Sequence, residues 1–200
     1  MTELLVWLLL AGVSSPFYHT EGWTGGDGAY SIPLGGRTLW LFGDTFIGRI
    51  RDGRREVDRM VHNTVALDSP RSFWFADRDF FTPAEPGSWY WPGHGALWRG
   101  KLNLFMKKVR SGAGPPGLDF DWYGDDLIVV DNPLDPPPDW RWTRRPLNLP
   151  GLHPGIAALV HRDRFYVFCL RGTGGEVALA RFEADRFEFF DGAGWSDRPE

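Results

Sequence analysis

Two aspartates near the start of the chain stand beside glycines, in positions suited to acid–base or nucleophilic chemistry. Asp27 lies between Gly26 and Gly28, whose small size lets a backbone approach a ligand closely. Asp44 directly follows Gly43. Such a carboxylate can serve as a general base or as a nucleophile. An aspartate beside glycine also commonly caps a turn through its own carboxylate, so a structural role is the alternative for both residues.

Imidazole, amide and indole side chains at comparable places along the chain could bind a polar ligand. Histidine and asparagine can hydrogen-bond to hydroxyl groups, and a flat tryptophan ring can pack on the apolar face of a sugar. A packed core position is the alternative for the tryptophans and for His62 and Asn63. The candidate binding residues are Trp23, His62, Asn63, Trp89, Trp91, His94 and His153.

The pattern of metal-ligating residues predicts neither a metal site nor a cofactor. His94 and His153 lack a third ligand at a recognisable spacing. One acidic group does not match the twelve-residue calcium loop with its terminal glutamate, and we interpret it as solvated loop charge. This group consists of Asp119, Asp121, Asp125 and Asp126.

The composition favours many short strands joined by tight turns. The 200 residues include 11 Trp, 15 Phe, 5 Tyr, 25 Gly and 16 Pro. A net charge of −4 argues against a general binder of nucleic acids or membrane surfaces, which needs a clustered basic face. The only dense basic group, between Arg49 and Arg55, is interpreted as a solvated loop. The single cysteine, Cys169, excludes an internal disulfide.

A repeat along the chain would position these candidate residues. The segments Arg37–Phe42, Gly100–Phe105 and Asp163–Phe168 share one apolar pattern, and their terminal phenylalanines are 63 residues apart both times. Each segment follows a turn signal, which in turn follows a short, glycine-containing apolar stretch. The spacing therefore predicts the same β-hairpin three times.

Further strand-like runs follow each hairpin, as Met60–Leu67 and Ser72–Phe75 do after the first. They give four strands per unit, the pattern of a β-propeller blade. The predicted fold is all-β, with blades at about residues 26–76, 89–144 and 153–195. Propellers typically close with four to eight blades. Three blades alone would leave apolar sheet faces uncovered, so we expect completion by missing blades or by self-association.

The N-terminus forms a separate segment in this interpretation, with residues 1–20 preceding a partial propeller of residues 21–200. Leu4–Val13 is an apolar run as long as a signal-peptide core, but no basic residues precede it. A signal peptide, a buried strand and a short helix all remain open. A secreted and a cytoplasmic location are therefore both compatible with the sequence.

Several stretches, taken in order, resemble uncharacterised bacterial domain families with a five-bladed propeller. These families look like glycoside hydrolases of the arabinanase and fructosidase type, and one related group contains endo-D-arabinanases. The resemblance runs from about Gly22 to Trp195 and covers the first three blades of five. The similar stretches are Gly22–Leu34, Leu39–Phe46, Met60–Thr64, Trp89–Gly93, Val130–Pro133 and Val177–Arg181.

The resemblance implies a glycoside hydrolase that acts on a polysaccharide or oligosaccharide at one mouth of the propeller channel. Such hydrolysis needs two carboxylates flanking the bond, and Asp27 and Asp44 are the candidates. One departure is that His94 stands where such families tend to carry an acidic residue after Trp-Pro-Gly. A non-catalytic carbohydrate-binding propeller and a truncated, inactive fragment are the alternatives. We expect neither nucleic acid nor membrane as a partner.

Overall fold

Antiparallel β-sheets make up nearly all the regular structure of the chain. In the computed structural model, four sheets of three to five strands form, and the helical structure of the described residues is one 3-10 turn at Pro137–Asp139. The all-β prediction is therefore confirmed. The run Leu4–Val13 lies outside the described residues. These are residues 16–69, 72–149, 151–172, 175–183 and 186–199.

The strands follow one another with short connections. In chain order they are β1 (Glu21–Gly26), β2 (Tyr30–Leu34), β3 (Arg37–Phe42), β4 (Thr45–Arg51), β5 (Arg54–Val61), β6 (Thr64–Ser69), β7 (Ser72–Phe75), β8 (Ser88–Trp98), β9 (Lys101–Ser111), β10 (Phe120–Val130), β11 (Trp142–Leu147), β12 (Leu152–His161), β13 (Arg164–Arg171), β14 (Glu176–Glu183), β15 (Arg186–Phe190) and β16 (Trp195–Ser196).

Three sheets repeat one antiparallel order and correspond to the three sequence repeats. The first repeat pairs β2-β3-β6-β7, the second pairs β8-β9-β10-β11, and the third pairs β12-β13-β14-β15 with β16 added at its edge. The three predicted hairpins are β2-β3, β8-β9 and β12-β13. The first strands of the repeats lie side by side, with β8 contacting both β2 and β12.

The first repeat differs from the prediction of a single third strand running from Met60 to Leu67. That run is divided at His62 and Asn63, and its first part belongs to a β4-β5 hairpin. This hairpin and β1 form a separate three-stranded sheet. The basic group from Arg49 to Arg55 lies on the hairpin, where Arg49 forms an ion pair with Glu56 at 3.4 Å.

The three-stranded sheet covers one face of the first repeat with a small aromatic core. Trp23 from β1 is buried there, and its ring stacks on that of Phe75 at a centroid distance of 4.8 Å. Ile47 and Val61 complete the contact from β4 and β5. We therefore assign Trp23, a candidate binding residue by sequence, to the core.

The second repeat is buried on both faces because its strands alternate apolar side chains. In β9, Leu104 packs into a core shared with the first repeat, and Phe105 packs into a core shared with the third repeat. Phe165 and Cys169 lie in this second core, where burial raises the pKa of the thiol to about 12. Burial of one large apolar side chain such as Leu104 or Phe105 contributes roughly 1.5–3 kcal/mol to the stability of the fold.

Glycines let the first strands of the second and third repeats approach each other closely. A β-bulge follows Pro92 in β8, and another follows Pro154 in β12. Gly155 has a φ of +95°, and a Cβ added there would lie 2.5 Å from Cβ of Phe105. A Cβ added at Gly93 would lie 2.8 Å from the Gly155 carbonyl oxygen. The two strands pack at a distance that side chains would prevent.

Replacing Gly155 by alanine should destabilise the protein through two effects. The positive φ imposes backbone strain, and the new Cβ overlaps Phe105, which adds about 1–3 kcal/mol. Gly192→Ala is a matched control, because Gly192 has a φ of +94° with no atom within 4 Å. Urea unfolding should therefore show a larger loss for Gly155→Ala. Equal losses in the two variants would contradict the close-packing explanation.

Candidate functional site

Two polar side chains of the first repeat and a tryptophan of the second border one open cavity. Asp27 precedes β2, Asp44 follows β3, and Trp91 lies near the start of β8. The cavity has a volume of about 380 Å³. Its remaining walls come from the start of β8, from the β5-β6 junction and from both ends of the β9-β10 connection. They are formed by Met60, His62, Trp89, Ser111, Gly117, Asp119 and Phe120.

A smaller cavity of about 230 Å³ adjoins the first. Asp27 and Trp91 border both cavities, and Tyr30 and Lys107 border only the smaller one. The Asp27 side chain is therefore accessible from two adjacent spaces. A ligand larger than one sugar ring could occupy both while remaining in contact with this carboxyl group.

The position of the Asp27 carboxyl group depends on a glycine of the neighbouring connection. A Cβ on Gly43 would overlap Oδ1 of Asp27. The Gly43 amide donates a hydrogen bond of 2.9 Å to the Asp27 carbonyl oxygen, which fixes the two segments side by side. The glycine thus leaves the space into which the carboxyl group folds.

The pKa of Asp27 is raised above the ordinary value for an aspartate. Partial burial of the carboxyl group, in a residue that is exposed overall, is the largest cause, and the negative charge of Asp44 is the second. A hydrogen bond from the backbone of Asp44 and the positive charge of Lys107 act in the opposite direction. A carboxylate with a raised pKa is a stronger base, and this is the property required of a proton acceptor.

Asp44 connects the carboxyl pair to the aromatic wall of the cavity. Its Oδ1 accepts a hydrogen bond of 2.8 Å from Nε1 of Trp91 and lies 3.4 Å from Nδ1 of His62. The His62 ring stacks on Trp89 at 4.5 Å with an interplanar angle of 20°. The cavity therefore brings together five of the residues singled out by sequence, which are Asp27, Asp44, His62, Trp89 and Trp91.

Asn63 follows His62 directly, yet its side chain does not reach the cavity. It is 2% exposed, and its Nδ2 donates hydrogen bonds to the carbonyl oxygens of Phe81 and Tyr90. Its Oδ1 accepts from the amides of Phe80 and Phe81. Both amide atoms are used by the backbone, so we assign Asn63 a structural role and leave it out of the site.

His94 joins the first strands of all three repeats. Its Nδ1 accepts a hydrogen bond of 3.1 Å from the Ala158 amide, so its Nε2 carries the proton and donates to the Ser31 carbonyl oxygen at 3.2 Å. His94 borders neither of the cavities beside Asp27. It lies against a third cavity of about 260 Å³ with mainly apolar walls. We assign it a bridging role between the sheets.

His153 is paired with a carboxyl group that the sequence analysis placed in a solvated loop. Nδ1 of His153 lies 2.9 Å from Oδ2 of Asp125, and Nε1 of Trp122 donates to Oδ1 of Asp125 at 3.2 Å. Asp125 is 6% exposed. Burial raises its pKa, which His153, Trp122 and Lys107 counteract. This pair belongs to the end of the sheets at which Asp27 lies.

The prediction of a solvated acidic loop is wrong for Asp125 and Asp126, which are buried. Asp119 and Asp121 are exposed, although Asp121 lies in β10 and not in a loop. Asp126 is 1% exposed, accepts a hydrogen bond from the Tyr90 hydroxyl group and lies 3.7 Å from Nζ of Lys108. The two aspartates precede the apolar end of β10, just as His62 and Asn63 precede β6. That correspondence between repeats was the available signal.

Two further features bear on the kind of site. Among the described residues, no group of three or more histidine, cysteine, aspartate or glutamate side chains is arranged to hold a metal ion. In the same part of the chain, no helix has the length and apolar character needed to cross a membrane.

Comparisons with known proteins give one family and one fold. A family model described as "Domain of unknown function (DUF5005)" matches residues 14–145. A comparison with curated proteins gives no match. A crystal structure described as a "putative hydrolase" from Bacteroides ovatus is similar with a TM-score of 0.72 and 18% identity, over 93% of this chain and 57% of that one. The chain thus spans little more than half of that structure, and the likeness concerns the fold.

The role of His94 predicts a pH dependence of stability. Burial lowers its pKa, against the effect of its backbone hydrogen bonds. As the pH falls, His94 takes up a proton near pH 6.5 in the unfolded protein and only at lower pH in the folded protein. The contribution of neutral His94 to the free energy of unfolding is therefore complete above pH 6.5 and declines as the pH falls through that value. His94→Gln should reduce the loss of unfolding free energy between pH 7.5 and 5.5.

The control for this measurement is His161→Gln, because His161 is exposed. It should keep the pH dependence of the unmodified protein in urea unfolding. The same dependence in the His94→Gln variant as in the unmodified protein would contradict the assignment.

Proposed function

The chain belongs to the DUF5005 family, a domain family of unknown function, and we propose that it forms part of a carbohydrate-active β-propeller of the glycoside hydrolase type. The order of the three repeated sheets supports the propeller, because each is an antiparallel meander whose first strand lies beside the first strand of its neighbour. The similarity to a "putative hydrolase" supports a hydrolase-like fold at low identity.

The observation that carries the proposal is the Asp27 carboxyl group in an open cavity. It borders two adjacent spaces, and its pKa is raised by burial and by Asp44. In the proposed reaction its carboxylate accepts a proton from a water molecule while the water oxygen attacks the anomeric carbon. The bond to the leaving oxygen breaks as that oxygen takes up a proton from a second carboxyl group acting as general acid, the role for which Asp44 is the candidate. Direct attack by Asp27 is the variant of this role that forms a covalent intermediate.

The walls of the cavity suit a carbohydrate. The rings of Trp89 and Trp91 meet at a centroid distance of 6.4 Å and offer apolar faces. The imidazole of His62 and the carboxylate of Asp44 offer hydrogen-bonding atoms beside them. A sugar presents the same combination of an apolar ring face and surrounding hydroxyl groups. We therefore assign Trp91 and His62 to substrate binding and Asp44 to the carboxyl pair.

Binding without hydrolysis is the second candidate function, and the third repeat favours it. The equivalent position there carries His153, whose imidazole is engaged with the buried carboxyl group of Asp125. A glycoside hydrolase needs a proton donor as well as a base. If Asp125 had to supply that proton, its engagement with His153 would prevent donation. The protein would then retain the sugar-binding wall and lose turnover.

Replacing Asp27 by asparagine tests the proposal. The amide cannot accept the proton or attack, so hydrolysis of arabinan-like or fructan-like oligosaccharides should fall by roughly 10²–10⁴-fold, while the folded structure is retained. Product formation is measured by chromatography of reducing sugars. Asp77→Asn is the control, because Asp77 is exposed, lies outside both cavities and forms a surface ion pair with Arg59.

Calorimetric titration with the same oligosaccharides separates the candidate functions. Hydrolysis that is lost in Asp27→Asn supports the enzyme. Binding without turnover in the unmodified protein supports the binding module. Unchanged turnover in Asp27→Asn would exclude Asp27 as the base, and neither binding nor turnover would reject both functions.

A further inference from the structure

Lys107 is a partly buried cation in the second repeat, at the end of the sheets where Asp27 lies. It lies in β9, directly opposite Trp91 of β8 and Asp125 of β10, so these three residues form one row across the sheet. Its Nζ lies 5.2 Å from the centroid of the Trp122 ring. In the part of the chain that the structure describes, Lys107 forms neither a hydrogen bond nor an ion pair within 4.0 Å.

The neighbouring lysine shows what a structural role looks like in the same strand. Lys108 points to the opposite face of the sheet, where it lies 3.7 Å from Asp126 and 3.8 Å from Glu85. Those direct ion pairs hold two segments together. Lys107 has no such contact and borders the smaller cavity with Asp27. Lys107 is partly buried, and its charge acts on groups that lie beyond direct ion-pair distance.

Two carboxyl groups from different sheets experience that charge. Lys107 counteracts the effect of burial on Asp27, which precedes the first repeat, and on Asp125, which lies in the second. The relation is reciprocal. Burial lowers the pKa of Lys107, and Asp125 and Asp27 counteract that effect. The three groups are thus electrostatically linked across the boundary between two sheets.

We propose that Lys107 is the shared counter-ion of Asp27 and Asp125, and that its positive charge favours the ionised form of the carboxyl group in the first repeat and of the one in the second. Lys107 acts as a positioning residue, since it works through the two carboxyl groups. The inference rests on the proposed function only for its catalytic meaning, because the charge interaction itself concerns groups of the free protein.

Other titratable groups also face this arrangement and act on its members separately. Asp44 raises the pKa of Asp27, and His153 lowers that of Asp125. Burial and Asp27 raise the pKa of Tyr30. Asp125 also acts on Cys169. Among the causes resolved for these groups, Lys107 is the one that acts on Asp27 and Asp125 together.

The positive charge of Lys107 has a direct consequence for Asp27, which must be ionised to act as a base. Lys107 keeps Asp27 in its carboxylate form down to a lower pH than burial alone would allow. Without the lysine charge, Asp27 would be protonated over a wider acidic range. The acid limb of the pH profile of kcat/KM would then move to higher pH.

The test replaces Lys107 by methionine in the intact protein and follows the side-chain carboxyl carbons by ¹³C NMR through a pH titration. The pKa values of both Asp27 and Asp125 should rise. Asp27→Asn and Asp125→Asn identify the two resonances. Lys107→Arg, which keeps the charge, should leave both pKa values near those of the unmodified protein. Lys101→Met, which removes an exposed partner of Asp131, should change neither.

Each outcome decides the matter. Unchanged pKa values in Lys107→Met, or an equal rise in Lys107→Arg, would overturn the proposal, the second because packing rather than charge would be responsible. Lys107→Gln provides the same measurement if the methionine variant does not fold. The titration needs no turnover. If removal of the Lys107 charge raises both carboxyl pKa values in a protein that hydrolyses no sugar, the proposed function alone would be rejected. In an active protein, the shifted acid limb is the second readout.

Discussion

The close approach of β8 and β12 is the constraint on which the other features of the structure depend. Gly93 and Gly155 let the two strands pack backbone to backbone over Phe105, and the β-bulges beside them redirect both chains. This contact sets the distance between the second and third sheets. It also determines that Trp91 and His153, which directly precede the two Pro-Gly pairs, emerge at the same end of the sheets.

The polar side chains at that end divide into two groups by their partners. Those that use every hydrogen-bonding atom on the protein's own backbone, such as Asn63 and His94, hold sheets and loops in register. Those that keep part of their surface open to a cavity, such as Asp27 and Asp44, are available to a ligand. Residue type does not separate the groups, because an equally polar side chain can serve either purpose.

The sequence predicts the hairpins well because each depends on local signals, a turn followed by an apolar run that ends at Phe42, Phe105 or Phe168. It does not predict the sheet formed by β1, β4 and β5, in which β1 pairs with β4 across the first hairpin and the β4-β5 hairpin carries mixed charges. The burial of Asp125 was missed for a related reason. Its acidic neighbours suggest solvent, whereas His153 from another strand, Trp122 from the same strand and the positive charge of Lys107 compensate its charge.

The space beside Gly43 determines the orientation of the Asp27 carboxyl group independently of the chemistry of that group. The Asp27 carboxyl group folds over a position that has no side chain, and that position belongs to a different strand connection. A designer could therefore redirect this carboxyl group without altering it. Enlarging residue 43 would push the carboxyl group out of its present place and change which of the two adjoining spaces it faces. The orientation of the Asp27 carboxyl group thus depends on Gly43, a residue that has no side chain.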